Sequence, residues 1–388
     1  MKRFLALTLA MGCCSLAQAQ SSVTLYGVID EGVGYTNNEG GHSVVFLKSG
    51  NVFGSRWGLK GQEDLGGGLS TVFLLESGFS AANGTMLQGG RLFGRNAYVG
   101  LASLTAGRIL AGRQYDMGTQ LVAGLAGYPI TGVSDTPGDI DGRDGVFRIN
   151  NSLTYMTPNW NGFTAGALYG FGGVAGSTGS QNAFSIGANY QGGMFAAGVA
   201  YTRFKNADNS PAWSSAALDS PFTYAINQGY ATTNSIGVLV TEASVTLGNL
   251  ILGAGYSNVQ YKPNSASAFH KTATFNIGIL SAQYAITPAL SVRVADSYTQ
   301  GTSMSSATGQ SYSAAKYNQM SVGFDYSLSK TTSFYLRTGY QHSTGYTLAA
   351  DGKSIINAAA NIGDVEGGAA SAPNGKQFTA RVGIAKKF

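Results

Sequence analysis

The residues of this chain that could do chemistry are concentrated in one acidic stretch near the middle. The segment Gly138–Asp144 contains three aspartates, and Asp135 precedes it. The spacing faintly resembles a calcium loop, but an EF-hand needs a Glu at its twelfth position. Counting from Asp139, that position is Asn150, which cannot supply a bidentate carboxylate. We therefore expect no metal site, and we interpret the stretch as the charged part of a loop.

Neither the histidines nor the glycines form a catalytic or nucleotide-binding pattern. His42, His270 and His342 fall one each in separate polar segments, and no Ser, Asp or Glu stands at a telling spacing from any of them. No GxxxxGK[ST] phosphate loop and no GxGxxG strand–helix unit is present. The sequence therefore predicts a protein that is not an enzyme and needs no cofactor.

The composition favours a strand-rich membrane protein. Of the 388 residues 56 are Gly, 21 Tyr and 19 Phe, and only 11% are charged, whereas a soluble domain usually has about 25% charged residues. Beyond the N-terminal segment no apolar stretch reaches the roughly 18 residues of a transmembrane helix. These features favour a membrane β-barrel, and a Gly-rich secreted β-protein is the soluble alternative.

The N-terminus has the pattern of a secretory signal. Lys2 and Arg3 precede the apolar run Phe4–Met11, and Ala17–Ala19 forms a small-x-small cleavage site. We predict a signal peptide over residues 1–19 and a mature barrel domain over residues 20–388. Both cysteines fall inside the signal, so the mature chain has no disulfide. Its weak, dispersed positive charge predicts no nucleic-acid partner.

Short turns and long polar segments alternate along the chain, as they do in a hairpin barrel. Gly, Asn, Pro and Ser supply the special backbone angles of the short turns. The predicted short turns are Gly61–Gly68, Ser103–Gly107, Thr157–Gly162, Tyr190–Gly193, Thr246–Asn249, Ala285–Pro288 and Ser327–Lys330. The predicted long loops are residues 36–50, 80–92, 117–147, 170–182, 205–234, 260–272, 299–315 and 341–376. Seven turns and eight loops separate sixteen strands.

Several of these strands have one apolar and one polar face. At period 2, Phe378, Val382 and Ile384 share a face of the last strand opposite Arg381. Leu290, Val292 and Val294 likewise oppose Arg293. A polar second face in successive strands suits a barrel with lipid outside and water inside. A soluble sandwich would show the same period with its apolar face buried.

The chain resembles the general porins of Gram-negative outer membranes, especially the beta-proteobacterial type. The pieces that match are Val23–Asp30, Gly54–Gly61, Glu63–Gly66, Arg95–Leu101, Gly112–Tyr115, Asn151–Tyr155 and the terminal Phe388. The resemblance implies an all-β protein, a 16-stranded antiparallel transmembrane β-barrel with short periplasmic turns, long extracellular loops and an inward-folded third loop, here about residues 117–147. It also implies a homotrimer, and an assembly signal at Phe388 that the barrel-assembly machinery reads.

The same resemblance implies where the channel is narrowest. Arg56, Arg95 and Arg148 match the arginine cluster of the family's barrel wall, Lys60 and Arg113 are second-tier candidates, and Glu76 matches an acidic wall position. The third loop has an apolar half, Leu121–Gly127, which we expect to pack on the inner wall. Its acidic half would then face the lumen. The acidic residues predicted at the constriction are Asp135, Asp139, Asp141 and Asp144.

These observations predict an outer-membrane porin that lets ions and small hydrophilic solutes diffuse passively through a water-filled channel. The expected partners are those solutes, outer-membrane lipid and lipopolysaccharide, the assembly machinery and further copies of the chain. A substrate-selective channel is one alternative. An adhesin or receptor-like barrel, with its function in loops 205–234 and 341–376, is another. We expect a weak preference for anions.

Overall fold

The computed structural model describes residues 22–126, 133, 136–205, 222, 224–305, 309–362 and 371–388. Sixteen long antiparallel strands form its wall. Named β1 to β16 in chain order, they are Ser22–Glu39, Arg56–Gly66, Leu69–Gly78, Asn96–Ser103, Gly107–Tyr115, Arg148–Met156, Phe163–Gly170, Ala183–Gly192, Phe195–Lys205, Ser235–Leu247, Leu250–Lys262, Ala273–Ala285, Leu290–Gln300, Lys316–Ser327, Thr332–Thr344 and Lys376–Lys387.

The wall is closed because its last strand pairs with its first. β16 pairs antiparallel with β1 from Val28↔Lys387 to Thr36↔Thr379. Phe388 then exchanges two main-chain hydrogen bonds with Gly27, of 3.0 and 3.1 Å. Closure pairs both edges that an open sheet would expose. The prediction of a 16-stranded antiparallel barrel is confirmed.

Side chains alternate between the two sides of the wall as the sequence predicted. On β16, Val382 and Ile384 are 56% and 40% exposed and point outward, whereas Arg381 is 2% exposed and points inward. On β13, Arg293 points inward and forms an ion pair with Asp325. Apolar side chains therefore cover the lipid-facing side, and polar ones face the interior.

All seven predicted short turns join consecutive strands at one end of the barrel. The turn between β2 and β3 shows why glycine is needed there. Gly67 and Gly68 have φ of 63° and 79°, a left-handed region that other residues adopt at a cost. The long loops leave from the opposite end, so one end carries tight turns and the other carries polar loops.

The prediction that residues 36–50 form the first loop is wrong in detail. His42–Ser49 is a strand that pairs with the upper half of β1, and residues 50–55 separate it from β2, which pairs with the lower half. The reason is a buried carboxylate. Asp30 accepts hydrogen bonds from the main-chain N–H groups of Val52 and Phe53, both at 2.7 Å, and from the Tyr335 hydroxyl at 2.6 Å. These bonds hold residues 50–55 against the inner side of the wall.

The remaining regular elements are short and lie in the loops. The third loop has a π-helical turn, Gly118–Val122, and a 3-10 turn, Pro137–Asp139, and the fifth has a 3-10 turn, Gln228–Tyr230. Small two-stranded ladders join Met304–Ser305 to Ser311–Tyr312 and Tyr346–Leu348 to Ile355–Asn357. None of the helices among the described residues is long and apolar enough to cross a membrane.

Candidate pore constriction

The third loop, residues 116–147 and hereafter L3, begins with a tether to the inner wall. The Asp116 carboxylate accepts hydrogen bonds from Thr202 Oγ1 on β9 at 2.7 Å and from the N–H groups of Gly118 and Thr119. The N–H of Met117 donates to Ser185 Oγ on β8 at 2.8 Å. Because Asp116 is buried, the pKa of its carboxyl is raised, although the Thr202 hydrogen bond opposes this. L3 therefore turns into the barrel as soon as β5 ends.

Further along, L3 crosses the inside of the barrel. The N–H of Ala126 donates to Glu242 on β10 at 2.9 Å, and its carbonyl accepts from Ser281 on β12 at 3.0 Å. The carbonyl of Val133 accepts from Gln319 on β14 at 3.0 Å. The loop thus reaches from β8 to β14 and occludes part of the lumen, as the resemblance implied.

Apolar packing holds L3 on one side of the lumen. Met117, Leu121, Val122 and Ile140 are buried in one cluster with inward-facing wall residues. The rings of Phe147 on L3 and Phe204 on β9 lie 5.0 Å apart. Each such side chain contributes about 1.5–3 kcal/mol by leaving water. The prediction that the segment from Leu121 packs on the wall is confirmed for its described residues.

A buried ionic cluster anchors the acidic half of L3. Arg143 Nε lies 2.8 Å from Asp141 Oδ2, and its Nη1 forms an ion pair with Glu242 of β10. Ser257 Oγ on β11 donates to Asp141 Oδ2 at 2.7 Å. Burial opposes the charge of the guanidinium, but the two carboxylates outweigh it and raise the pKa of Arg143. The negative charge of Asp141 is therefore balanced by Arg143 at the wall.

The other acids of L3 differ in their access to water. Asp139 is 1% exposed, and its Oδ1 accepts from the N–H of Asp144 at 3.0 Å. Burial, and then the Asp144 and Asp141 carboxylates, raise the pKa of Asp139 well above its ordinary value. Asp144 is half-buried, and Asp135 lies outside the described residues. Asp139 and Asp141, expected to face the lumen, are instead buried, Asp141 against Arg143 and Ser257 of β11 and Asp139 inside the acidic turn.

The predicted wall residues of β2 and β3 and of the start of β4 gather around one carboxylate. Glu76 Oε1 lies 3.0 Å from Arg95 Nε, and Glu76 Oε2 lies 3.6 Å from Arg56 Nε. The Tyr26 hydroxyl donates to Oε2 at 2.7 Å. The ammonium of Lys60 lies 5.4 Å from the centre of the Tyr26 ring. Strands β1, β2 and β3 and the residue before β4 thus bring these side chains together.

Tyr115 connects Arg148 and Arg95. Its ring centre lies 4.9 Å from the guanidinium carbon of Arg148 and 5.9 Å from that of Arg95. Arg113 is buried beside them and donates to the carbonyl of Gly94 at 2.7 Å and to Asn150 Oδ1 at 2.6 Å. The guanidinium groups are held in fixed orientations by rings and carbonyls as well as by Glu76.

Comparison with known proteins assigns the chain to a family. Residues 6–346 match the family described as Gram-negative porin. The chain belongs to the Gram-negative porin family. An outer membrane porin protein of Bordetella pertussis is 39% identical over 188 residues, 44% of this chain, and the match spans only 48% of that relative. This porin is a β-barrel of the bacterial outer membrane, as predicted.

Solved structures share the fold of this porin. An anion-selective porin from Comamonas acidovorans superposes with a TM-score of 0.74 at 22% identity, over 95% of this chain and 100% of that one. A trimer form of OmpT, an outer membrane protein of Vibrio cholerae, superposes with a TM-score of 0.62 at 13% identity, over 95% and 99%. At these identities the likeness concerns the fold alone.

Several residues of the candidate constriction were not predicted from the sequence. The inward position of Tyr26 follows from strand alternation, so it could have been predicted from the sequence. Tyr115 supports two arginines, and no sequence signal separates it from the other 20 tyrosines. The partners Arg143 and Glu242 are 99 residues apart in the chain. Such a pairing depends on where L3 meets the wall.

Proposed function

We propose that this protein is a passive diffusion channel for ions and small hydrophilic solutes, with a preference for anions. One observation carries the proposal. Five cations stand at the narrowing, and three of them, Arg56, Lys60 and Arg95, are at least partly exposed, whereas Glu76 is buried between Arg95 and Arg56 and only Asp144 of the described L3 acids is partly exposed. The cations are Arg56, Lys60, Arg95, Arg113 and Arg148.

The burial of the L3 acids supports the sign of the preference. Asp141 is paired with Arg143, and Asp139 is buried. Neither places a full negative charge in the aqueous path. Arginine stays charged at every working pH. Salt at 0.1 M screens exposed charges over a Debye length of ~10 Å, and it screens charges in a partly dry lumen less. An entering anion is therefore attracted and a cation repelled, while no step consumes energy.

The polar lining favours diffusion over selection of one substrate. Rings of charged side chains set the sign of permeant ions without requiring a particular shape. No group of His, Cys, Asp or Glu in the described part of the chain is arranged to hold a metal. We therefore propose a general channel without catalytic activity. The alternatives remain a substrate-selective channel and an adhesin or receptor-like barrel.

The proposed partners follow from the family and the wall. A homotrimer is supported by the resemblance and by the trimer form of the structural neighbour from Vibrio cholerae. Lipid and lipopolysaccharide contacts are supported by the exposed apolar side chains that cover the outer face. We further propose that Phe388, whose ring is 53% exposed, belongs to the signal for the barrel-assembly machinery.

Planar-bilayer recording tests the proposal directly. Purified folded protein should open stepwise conductances, and in a salt gradient the zero-current potential should have the sign of anion preference. Heat-denatured protein is the control. Folded protein without conductance steps would exclude the channel. A cation-selective potential would leave the channel standing and exclude the anion preference. Saturable block by one solute class would favour the substrate-selective alternative.

A further inference from the structure

Three glutamines form a row across the inner wall, on strands that carry none of the arginines of the candidate constriction. Gln319 on β14 pairs with Gln341 on β15, and Gln341 pairs with Gln377 on β16. Tyr340 is 41% exposed on the outer face, so strand alternation directs Gln341 and its two paired neighbours inward. All three glutamines are buried. We call Gln319, Gln341 and Gln377 the glutamine row.

One end of the glutamine row holds L3. Gln319 Nε2 donates to the carbonyl of Val133 at 3.0 Å. Gln319 Oε1 accepts from Gln341 Nε2 at 2.5 Å. A primary amide has two N–H donors and an acceptor oxygen, so each glutamine can accept one hydrogen bond and donate another. Val133 is thus connected to β15 as well as to β14.

The other end holds the eighth loop, residues 345–375 and hereafter L8. Gln341 Oε1 accepts from the main-chain N–H of Asn361 at 2.6 Å, and Gln341 Nε2 also donates to the carbonyl of Asn361 at 3.3 Å. Gln377 Oε1 accepts from the N–H of Ile362 at 2.6 Å. The side-chain amides thus bind the main chain of L8 as a neighbouring strand would, and they hold this part of L8 against the inner wall.

Packing brings the same two loops together above one glycine. Gly339 is the inward position of β15 that precedes Gln341. A Cβ at Gly339 would lie 2.5 Å from Val133 Cγ1 and 3.6 Å from Ile362 Cγ2. Both of these side chains are buried. L3 and L8 therefore meet over the same point of the wall, and a residue without a Cβ leaves room for them there.

The hydrogen bonds form a continuous chain between the two loops. It runs from Val133 of L3 through Gln319 and Gln341 to Asn361 of L8. The glutamines and Val133 are buried, so breaking one link leaves partners unpaired in a dry site, which costs more than the link itself contributes. A displacement of either loop therefore disturbs the hydrogen bonds that hold the other.

We propose that the glutamine row positions L3 and L8 as one unit, so that the width of the aperture depends on L8 as well as on L3. Gln341 is the central positioning residue, because it is bonded both to L8 and to the glutamine that holds L3. The alternative is that each loop is held independently and the row is only structural. The inference rests on the proposed channel function and is independent of the sign of the ion preference.

Gln377→Met tests the coupling from the L8 end. Gln377 holds Ile362 of L8 and lies two strands away from Gln319, which holds L3. Methionine has nearly the same length but cannot replace the hydrogen bonds of the amide. One lost hydrogen bond corresponds to about fivefold in an equilibrium constant, so a displaced arrangement of L3 should become about fivefold more populated.

Planar-bilayer recordings with neutral polyethylene glycols of graded size measure this effect. In Q377M the open-channel current should be noisier, and larger polymers should enter the pore. The zero-current potential should stay as in the natural protein, because the arginines keep their positions. The matched control is Gln283→Met, which replaces an inward glutamine of β12 near the short turns and should conduct like the natural protein.

A double variant separates coupling through the row from an effect through β1. Gln377 Nε2 also donates to the carbonyl of Asn38 on β1 at 2.7 Å. Gln319→Met breaks the chain at the L3 end, so Q377M should add nothing to the noise and pore size of Q319M. The two glutamines are about 10 Å apart, a separation at which independent effects normally add. Non-additivity therefore reports the coupling.

Heat-sensitive gel migration verifies that each variant is folded. Should Q377M fail this check, Ile362→Ala takes its place, because it removes the L8 side chain above Gly339. Four results would overturn the proposal. They are natural currents and pore size in Q377M, an equal change in Q283M, a shifted zero-current potential in Q377M, and full additivity of Q319M and Q377M.

Failure of the proposed channel function gives a different result. Natural protein that is folded but opens no conductance would exclude the channel and leave the coupling to be measured by stability. The free energies of unfolding of Q319M, Q377M and the double variant in micelles then decide. Losses smaller in the double variant than the two single losses together support the coupling, and strictly additive losses rule it out.

Discussion

Glu76 determines how the arginines of the aperture are arranged. Its Oε1 contacts Arg95 and accepts from Asn96, and its Oε2 contacts Arg56 and accepts from Tyr26. A single carboxylate cannot neutralise the cations around it, so an excess of positive charge remains. The guanidinium groups of Arg56, Arg95 and Arg148 are nevertheless held in defined positions by Glu76 and the Tyr115 ring.

Removing the three main arginines should reverse or abolish the anion preference. In R56S/R95S/R148S, Glu76 and Asp144 remain with fewer cations, so the zero-current potential in a salt gradient should shift towards cations. A charge ~4 Å from the ion is worth at least about 1 kcal/mol in water. The anion-to-cation permeability ratio should thus fall about fivefold or more. Larger solutes should pass more easily, because three long side chains leave the aperture.

A matched variant separates local charge from total charge. K271S/K316S/K376S removes three exposed cations that lie away from the aperture. It should leave selectivity near that of the natural protein, since distant charges are screened by salt. If both triple variants shift the potential equally, the arginines do not line the constriction.

Asp139 should make the folded protein more stable at acidic pH. Its raised pKa means that the folded protein holds this proton at a pH where the unfolded chain has lost it. Such a group stabilises the folded state below its ordinary pKa, near 3.8, and the contribution is lost as pH rises through the raised value. The free energy of unfolding should therefore fall as pH increases above about 4.

The variant D139N isolates this carboxyl. Asn has nearly the same shape and tolerates the positive φ of 43° at this position. In denaturant titrations in micelles, D139N should show a flatter pH dependence above pH ~4 than the natural protein. Identical slopes for the two proteins would show that Asp139 does not titrate within the folded state.

At the scale of elements, L3 behaves as an inner layer packed on the wall. Its first turn is tethered through Asp116, its apolar residues join a cluster with β6 to β12, and Arg143 ties its acidic half to β10 and β11. Gly142 permits the tight acidic turn. Its φ is 73°, and a Cβ there would lie 2.2 Å from the ring of Phe147. Shape and charge together fix the path of the loop.

Breaking the ionic anchor should loosen L3. Arg143→Met leaves Asp141 and Glu242 buried without a counter-charge, and removing one partner of a buried pair typically costs about 3–5 kcal/mol. We expect noisier open-channel currents and altered conductance in single-channel recordings, together with a lower unfolding midpoint.

The control for this change removes the whole cluster. D141N/R143M/E242Q leaves no uncompensated charge in this cluster. It should therefore recover most of the stability lost in R143M, and its open-channel current should be less noisy than that of R143M. An R143M protein as stable and as quiet as the natural one would show that apolar packing alone holds L3.

At the scale of the whole molecule, the barrel places apolar surface outside and charge inside. Val45, Val23 and Leu280 are 70%, 66% and 67% exposed on the outer wall, where a bilayer or another subunit covers such residues. Inside, L3 and its apolar cluster pack on β6 to β12, whereas Arg56 and Lys60 lie on β2 and Arg95 lies just before β4.

We expect the protein to be a trimer that dissociates on heating. Native mass spectrometry in mild detergent should give three times the mass of the mature chain, and unheated samples should migrate as a larger species on gels than boiled ones. A sample that is folded and conducts, yet is monomeric at every detergent concentration, would contradict this prediction.

The sequence alone determined the strand count, the short turns and the two faces of several strands. Alternation has a strict period of 2, and tight turns require particular residues, so both are local properties. The wall positions Arg56, Arg95, Arg148 and Glu76 came from the family resemblance, and the structure brings them together. The first loop was wrong in detail, because residues 42–49 pair with β1 and hydrogen bonds to Asp30 draw residues 50–55 inward.

Only the tertiary structure decided which charges of the constriction face water. Asp139 and Asp141 have the same residue type as Asp144 and lie within five residues of it. Asp141 is buried through Arg143 and through Ser257, which lies more than a hundred residues further along the chain, and Asp139 is buried within the acidic turn itself. Electrostatic effects depend on distance and on the surrounding medium rather than on sequence separation. The sign of the field in the lumen is thus a property of the folded barrel.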